Sequence, residues 1–171
     1  MPIIYVFEPE KQSFSLHELE PEAPMPYVKR FFFPVSDFMA GAFSAVGWTD
    51  ARALRALDAL AAAFAAPFTV VRAFRRYPDL RHNMGLRFSL LADDPPALRA
   101  RCLESGLFSR VSPPFAGGRA LSVAAAVSPS GPVGVHIFSL QDALLQQGLY
   151  AGPLSGRLSP ALAARLRLTN A

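Results

Sequence analysis

The order of apolar and polar residues predicts two strands at the start of the chain. Residues 3–7 are rich in β-branched and aromatic side chains, and residues 14–19 alternate weakly, which favours a second strand pairing back on the first. A connector with three prolines follows over 20–26, because proline removes a backbone donor and fixes φ. The pattern then predicts a further strand over 27–33.

Helical spacing follows this connector. A short helix is predicted over 36–46, and a longer one over 50–65 begins after Thr49 as its cap. Within the longer helix, Leu54 and Leu57 recur at helical spacing, while charged residues occupy the other side. This is the clearest helix in the sequence.

The second half of the chain predicts a hairpin and then another helix. Residues 68–77 and 84–91 are typical of strands on either side of a polar loop. Asp94 followed by Pro95 indicates a helix start, and Gly106 indicates its end. Further strands are predicted over 119–127 and 133–138, with helices from 139 and from 159 onward.

These elements predict an α+β fold. From residue 27 the order is β-α-β-β-α-β, which is the order of a ferredoxin-like split unit. We expect an antiparallel-rich sheet with helices on one face, and a ferredoxin-like core is one arrangement that this order allows. The expected organisation is a single domain, 1–171: a hairpin and proline-rich connector over 1–26, a core over 27–138 and a helical extension over 139–171.

Composition narrows the class of protein. The 171 residues are 51% hydrophobic and 18% charged, so a disordered chain is excluded and a sizeable core is expected. The net charge of +4 favours anionic partners only weakly. The frequent arginine and alanine residues are typical of GC-rich bacterial genomes. No basic stretch or long uncharged apolar run suggests a signal peptide or a membrane span, so we expect a cytoplasmic protein without membrane contact.

Metal and cofactor binding find no support in the sequence. Cys102 is the only cysteine, which excludes a disulfide within the chain and a cysteine metal cluster. The three histidines, His17, His82 and His136, form no ligand motif, so we expect neither a metal nor a cofactor.

The predicted hairpin carries a candidate anion-binding or nucleic-acid-binding face. If Tyr77 lies opposite Met84, period-two geometry places alternate arginines on one surface, with an aromatic ring between them. The alternative is a solvated sheet face whose arginines pair with nearby carboxylates. The predicted residues are Arg72, Phe74, Arg76, Arg81, His82 and Arg87.

Aromatic residues over 31–48 indicate a protein interface. Three consecutive phenylalanines on one strand cannot all face the same core, and further rings follow nearby. An apolar surface of several hundred Å² would mark contact with a partner or a second copy, whereas the alternative is complete burial. The predicted interface residues are Phe31, Phe32, Phe33, Phe38, Phe43 and Trp48.

An enzymatic function is the third hypothesis. Each histidine could serve acid–base chemistry if an acidic partner lay beside it. Residues 2–6 resemble the start of the tautomerase superfamily, which implies the amine of Pro2 as a general base; that family continues from strand to helix, whereas this chain enters a proline-rich connector.

The leading hypothesis is a non-catalytic protein-interaction or self-associating module. It depends on an apolar surplus without any catalytic constellation in the sequence. Nucleic-acid binding by the hairpin and a small enzyme with an acid–base site are the alternatives.

Overall fold

A computed structural model describes most of the chain up to residue 127. The described residues are 1–11, 13–30, 33–40, 46–73, 85–115 and 117–127, together with isolated positions between 141 and 164. The strands are β1 (Ile3–Glu8), β2 (Ser13–Glu18), β3 (Val46–Asp50), β4 (Phe68–Arg72), β5 (Arg87–Ala92), β6 (Phe108–Val111) and β7 (Ala120–Ala125). The helices are α1 (Val35–Met39), α2 (Ala51–Ala63) and α3 (Pro95–Ser105).

The strands form two sheets, and the fold is α+β as predicted. One sheet has the order β2-β1-β3 and the other the order β4-β5-β7-β6. The β1–β3 pairing is parallel, and all other pairings between these strands are antiparallel. The elements α2, β4, β5, α3 and β7 follow in the predicted order, but the first strand of the expected succession does not: the strand preceding α2 is β3, which was not predicted and pairs with β1 in the smaller sheet. The two strands that flank α2 therefore belong to different sheets.

The N-terminal hairpin is built by simple alternation. Ile4 and Val6 are fully buried on one face of β1, where they lie opposite His17 and Ser15 of β2. The opposite face pairs Tyr5 with Leu16 and so is only partly covered. This face and the outer edge of β2 are therefore the accessible parts of the hairpin.

Helix α2 begins one residue later than the sequence predicts. Asp50 is its N-cap, and the carboxylate accepts the backbone N–H of Arg52 at 2.8 Å. Thr49, the predicted cap, lies within β3 instead, and its buried hydroxyl donates to the carbonyl of Gly85 at 2.6 Å. The apolar side of α2, which includes Leu54 and Leu57, is fully buried as predicted.

The strand expected over 27–33 does not form in the part that the structure describes. Residues 27–30 are a loop, and Tyr27 adopts a left-handed φ of 67°, which a strand does not contain. The loop is closed at its base, where the N–H of Met25 donates to the carbonyl of Phe33 at 2.8 Å. At its tip, Asp58 of α2 accepts the backbone N–H groups of Lys29 and Arg30 at 2.7 and 2.8 Å. The chain turns here because a helix carboxylate replaces strand pairing.

The β4–β5 pairing confirms the predicted hairpin and adds a bulge. Arg72 lies opposite Ser89, as it would if Tyr77 lay opposite Met84, whereas the pairs from Phe68 to Val70 are one residue out of that register. The register shifts between Val70 and Arg72, so the exposed Val71 is the extra residue and Val70 takes the buried place opposite Leu90. The loop of this hairpin lies outside the described residues.

Helix α3 follows its sequence signals closely. Asp94 accepts the N–H of Ala97 at 3.1 Å as the cap, and Gly106 ends the helix in the left-handed conformation. Cys102 is buried on the inner side, and burial raises the pKa of its thiol to about 11, so it stays protonated at neutral pH. The short strand β6 was not predicted. The strand expected over 133–138 lies outside the described residues, as do most of the predicted C-terminal helices.

The two sheets meet at Gly85, just before β5. The nearest atom to a Cβ added at Gly85 would be the carbonyl oxygen of Trp48, at 2.0 Å, which is far inside van der Waals contact. Gly85 also has φ +64°, a conformation that other residues rarely adopt. Only glycine allows β3 and the start of β5 to approach this closely.

Gly85→Ala therefore tests the contact between the sheets. We expect the free energy of unfolding to fall by about 3 kcal/mol or more, because the backbone of β3 must move to admit a methyl group. The matched control is Gly106→Ala, which has a similar φ of +69° but no atom within 4 Å of the added Cβ. The control should cost only about 1 kcal/mol in urea denaturation, from backbone strain alone. Equal losses in the two variants would contradict the steric explanation.

Candidate functional site

The predicted aromatic interface residues that the structure describes lie in the core. Phe33, Phe38 and Trp48 are 2%, 0% and 4% exposed. The ring of Phe33 packs on Phe68 of β4 at 5.5 Å, and that of Phe38 contacts Phe88 of β5 edge-on at 6.1 Å. These rings attach the segment around α1 to the larger sheet, so they are not available to a partner. The other predicted members, Phe31, Phe32 and Phe43, lie outside the described residues.

The predicted arginine face is described only in part. Arg72 and Arg87 are half-buried and lie on the same face of the β4–β5 pair, two positions apart in the ladder. Arg110 of β6 joins them, because Arg87 and Arg110 both lie opposite Ala124 of β7. The other predicted residues, Phe74, Arg76, Arg81 and His82, lie outside the described residues.

The other residues considered for catalysis or metal binding do not form a common site among the described residues. His136 and His82 lie outside the described residues, and Cys102 is buried. Pro2 uses its carbonyl to accept the N–H of Leu19 at 3.0 Å. Among the described residues, no group of three or more His, Cys, Asp or Glu side chains is arranged to hold a metal ion.

Polar side chains converge around Tyr27, on the inner side of the hairpin. The Tyr27 phenol donates a short hydrogen bond to the carboxylate of Glu8, at the end of β1. On β2, the Ser15 hydroxyl lies 2.9 Å from Nε2 of His17, and the rings of His17 and Tyr27 meet edge-to-face at 6.2 Å. The guanidinium of Arg55, on α2, lies 5.4 Å from the centre of the Tyr27 ring. We call these five residues the Tyr27 cluster.

Electrostatics in the Tyr27 cluster favour a charged Glu8 and a neutral Tyr27. The hydrogen bond from Tyr27 lowers the pKa of Glu8, and Lys11 at 3.4 Å lowers it further, against the opposing effect of burial. Burial raises the pKa of Tyr27, and the neighbouring Glu8 raises it again. The phenol is therefore a fixed donor to the carboxylate across the neutral pH range.

The Tyr27 cluster ties the hairpin to the rest of the molecule. Arg55 extends from α2 and also forms an ion pair at 2.7 Å with Glu10, in the β1–β2 turn. The hairpin is thus held from two sides, by the loop that carries Tyr27 and by α2. A hairpin fixed in this way presents its outer edge in a defined position.

Every second residue of β2 directs its backbone N–H and C=O groups toward the outer edge of the sheet. The bond from Leu19 N–H to the carbonyl of Pro2 marks one hydrogen-bonded pair. Alternation along an antiparallel ladder then directs the N–H and C=O groups of Leu16 and Glu18 away from β1. None of the described residues bonds to these outward groups of Leu16 or Glu18. The Leu16 side chain is 52% exposed.

The other sheet edges are protected. Both edge strands of the larger sheet carry a β-bulge and an arginine, at Arg72 in β4 and Arg110 in β6. The third edge, β3, lies against the chain at Gly85, where an added Cβ would come within 2.0 Å of the carbonyl oxygen of Trp48. Bulges and charges are the usual means by which edge strands avoid pairing with other chains. β2 is paired without any bulge along its six residues, so it is the unprotected edge among the described strands.

No family model, curated protein or solved structure matches the chain. None of the helices within the described parts of the chain is long and apolar enough to cross a membrane.

Sequence analysis missed both features of the hairpin. The Tyr27 cluster unites residues from β1, β2, a loop and α2, and no sequence spacing indicates such a combination. The exposed Leu16 had a visible signal, because strict alternation over 13–18 places it on the face opposite Ser15 and His17. The missing information was which face of the hairpin the core covers.

Tyr27→Phe tests the electrostatic role of the cluster. We expect a loss of about 1–2 kcal/mol in the free energy of unfolding at pH 7, because a charged acceptor loses its donor. The pKa of Glu8 in the folded protein lies below its ordinary value of 4.5, so this stabilisation is present above pH 4.5 and is lost as the pH falls through the folded value. The difference between wild type and variant should therefore shrink in acid.

Urea denaturation of both proteins across a pH series measures this difference. The control is the Glu8→Gln variant. Adding Tyr27→Phe to that variant should change the free energy of unfolding by an amount that does not vary with pH. Stability curves that stay parallel from pH 7 down to pH 3 would contradict the predicted coupling.

Proposed function

We propose that this protein is a non-catalytic self-associating module, in which two copies join through the outer edge of β2. The observation that carries the proposal is the unprotected backbone of Leu16 and Glu18 on a hairpin that the Tyr27 cluster holds in place. The occupant of this edge is a second copy of the same strand, because the edge is complementary to itself.

Antiparallel pairing about a two-fold axis satisfies the outward groups. With Leu16 opposite Leu16 of the second copy, each leucine donates its N–H to the carbonyl of the other, and Glu18 lies opposite Phe14. The two three-stranded sheets then become one continuous six-stranded sheet. No strand has to change its register within either copy.

Side chains support the same arrangement. Leu16 lies directly opposite Tyr5 in the β1–β2 ladder. Ile3 and Phe14 are each two positions away on their own strands, so all four side chains lie on the same face of the hairpin. Phe14 packs on Phe7 with ring centres 5.4 Å apart, which leaves a partly covered apolar surface around Leu16. Pairing would remove the two exposed leucines from water, which contributes on the order of 1–2 kcal/mol each.

Leu16→Lys tests this interface. We expect wild type to sediment as a dimer at tens of micromolar and the variant to shift to monomer, because two lysines would meet at the axis. Leu16→Pro should have the same effect by removing the outward N–H, while the bonds from β2 to β1 stay intact. Analytical ultracentrifugation measures the shift, and circular dichroism verifies that each variant is folded.

The matched control is Leu103→Lys, on α3. Leu103 is 54% exposed, close to the value for Leu16, but it belongs to no sheet edge. The control should remain dimeric. A strictly monomeric wild type at 200 µM, or equal dissociation in the Leu16 and Leu103 variants, would refute the proposal.

A second candidate function is binding of nucleic acid by the face that carries Arg72, Arg87 and Arg110. Its support is the shared sheet face described above, since several guanidinium groups on one surface can contact phosphates. Combining Arg72→Ala with Arg110→Ala should weaken binding to any sequence and reduce the slope of log K against log salt by about 2.

A fluorescence titration with labelled single- and double-stranded DNA at several salt concentrations measures this slope. Arg101→Ala, on α3, is the control, because that side chain is also about half exposed but lies on a different element. Binding that does not depend on salt, or no binding at 50 mM salt, would remove this candidate.

A further inference from the structure

We propose that a cleft between α2 and the end of β7 binds a small carboxylate with an apolar body. The cleft has a volume of about 320 Å³, near the lower limit for small-molecule sites. Arg52 and Arg55 of α2 form one wall; the turn after α3 and the end of β7 form the other. This site is separate from the β2 edge, although Arg55 also belongs to the Tyr27 cluster.

The cationic wall is held in place by its own ion pairs. Arg52 binds Asp50 through Nε at 2.9 Å and Nη2 at 2.7 Å, so its guanidinium has a fixed orientation and its remaining donors stay available. The Asp50 side chain is only 2% exposed, whereas that of Arg52 is 43% exposed. The pairing raises the pKa of Arg52 further, so its positive charge is permanent.

Arg55 supplies a second charge that a ligand can recruit. Its partner Glu10 is 61% exposed, and an ion pair in such a position contributes little to stability. An incoming carboxylate can therefore displace Glu10 from Arg55 at little cost in stability, while the contact between Arg55 and the Tyr27 ring still links α2 to the hairpin. The two guanidinium groups lie three positions apart on α2, which places them on the same side of the helix.

The opposite wall offers almost no polar groups. Leu107, Ala125, Ala126 and Val127 line it, and the N–H of Ala126 already donates to the carbonyl of Leu107 at 3.0 Å. The N–H of Val127 likewise donates to the carbonyl of Ala125 at 2.8 Å. Because these backbone groups are satisfied, the wall presents mainly methyl and methylene groups. An anion without an apolar part would leave this wall in contact with water.

The two walls together select the ligand. A carboxylate accepts hydrogen bonds from guanidinium groups in a planar arrangement, and a short alkyl or aromatic body covers the apolar wall. The open space beside Gly106, where no atom lies within 4 Å of an added Cβ, leaves room for that body to extend. The chemical class is thus a short-chain or medium-chain monocarboxylate.

Octanoate is the probe for a calorimetric titration of the full chain, with acetate and octanamide as comparison ligands. We expect octanoate to bind with a millimolar or lower Kd, and acetate and octanamide to bind at least about tenfold more weakly, since each lacks one half of the recognised structure. Equal binding of octanoate and octanamide would contradict recognition of the carboxylate by the arginines. Equal binding of octanoate and acetate would contradict binding of the alkyl chain by the apolar wall.

Two variants locate the site. Arg55→Gln should weaken octanoate binding about tenfold by removing a charge-assisted donor. Ala126→Trp should abolish it by filling the cleft without a change in charge, because the Ala126 side chain is exposed and its backbone bond stays possible. Arg101→Gln, on α3, is the matched control and should bind as wild type does. Arg52 is left intact because its loss would strand the buried Asp50.

Four further outcomes contradict the proposal. The first is the absence of binding to wild type at 10 mM octanoate, and the second is equal weakening in the Arg55 and Arg101 variants. The third is undiminished binding in Ala126→Trp with the fold intact by circular dichroism. A short peptide with a free carboxyl terminus that bound more tightly than octanoate would assign the cleft to a polypeptide and overturn the small ligand.

Discussion

The close approach of Gly85 to β3 is the constraint on which the architecture depends. It is the place where the two sheets touch through backbone, with the Thr49 hydroxyl bonded to the carbonyl of Gly85 at 2.6 Å. Because β3 is parallel to β1, fixing β3 also fixes the N-terminal hairpin. The outer edge of β2 is thus positioned by a glycine about seventy residues further along the chain.

Helix α2 distributes its charged residues among three different neighbours. Asp50 caps the helix and orients Arg52, Arg55 contacts both the Tyr27 ring and the β1–β2 turn, and Asp58 closes the tip of the loop that carries Tyr27. Their apolar neighbours on the same helix are buried in the core. One amphipathic helix therefore supports the core on one side, and both the hairpin and the cleft on the other.

The sequence was sufficient to predict those elements whose conformation is decided by residues close by in the chain. The cap at Asp94 and the stop at Gly106 predicted α3 to the residue, and the strand pattern predicted β1 and β5. Prediction failed where residues far away in the sequence decide the conformation. The loop at Tyr27 depends on Asp58, the division into two sheets depends on Gly85, and the bulge at Val71 has no local signature. The Tyr27 cluster and the cleft belong to this second class, since each combines residues from three or more elements.

The burial of Phe33, Phe38 and Trp48 changes the physical basis of association. The sequence suggested that surplus apolar side chains would drive it, but these rings fill the space between α1, β3 and the larger sheet. Leu16 differs from the other exposed apolar side chains of the described residues, such as Leu103, because it lies at the centre of an unprotected backbone edge. Edge pairing requires direction and register, whereas an apolar patch tolerates many orientations. A self-associating module built on β2 would therefore form one defined symmetric pair rather than a range of aggregates.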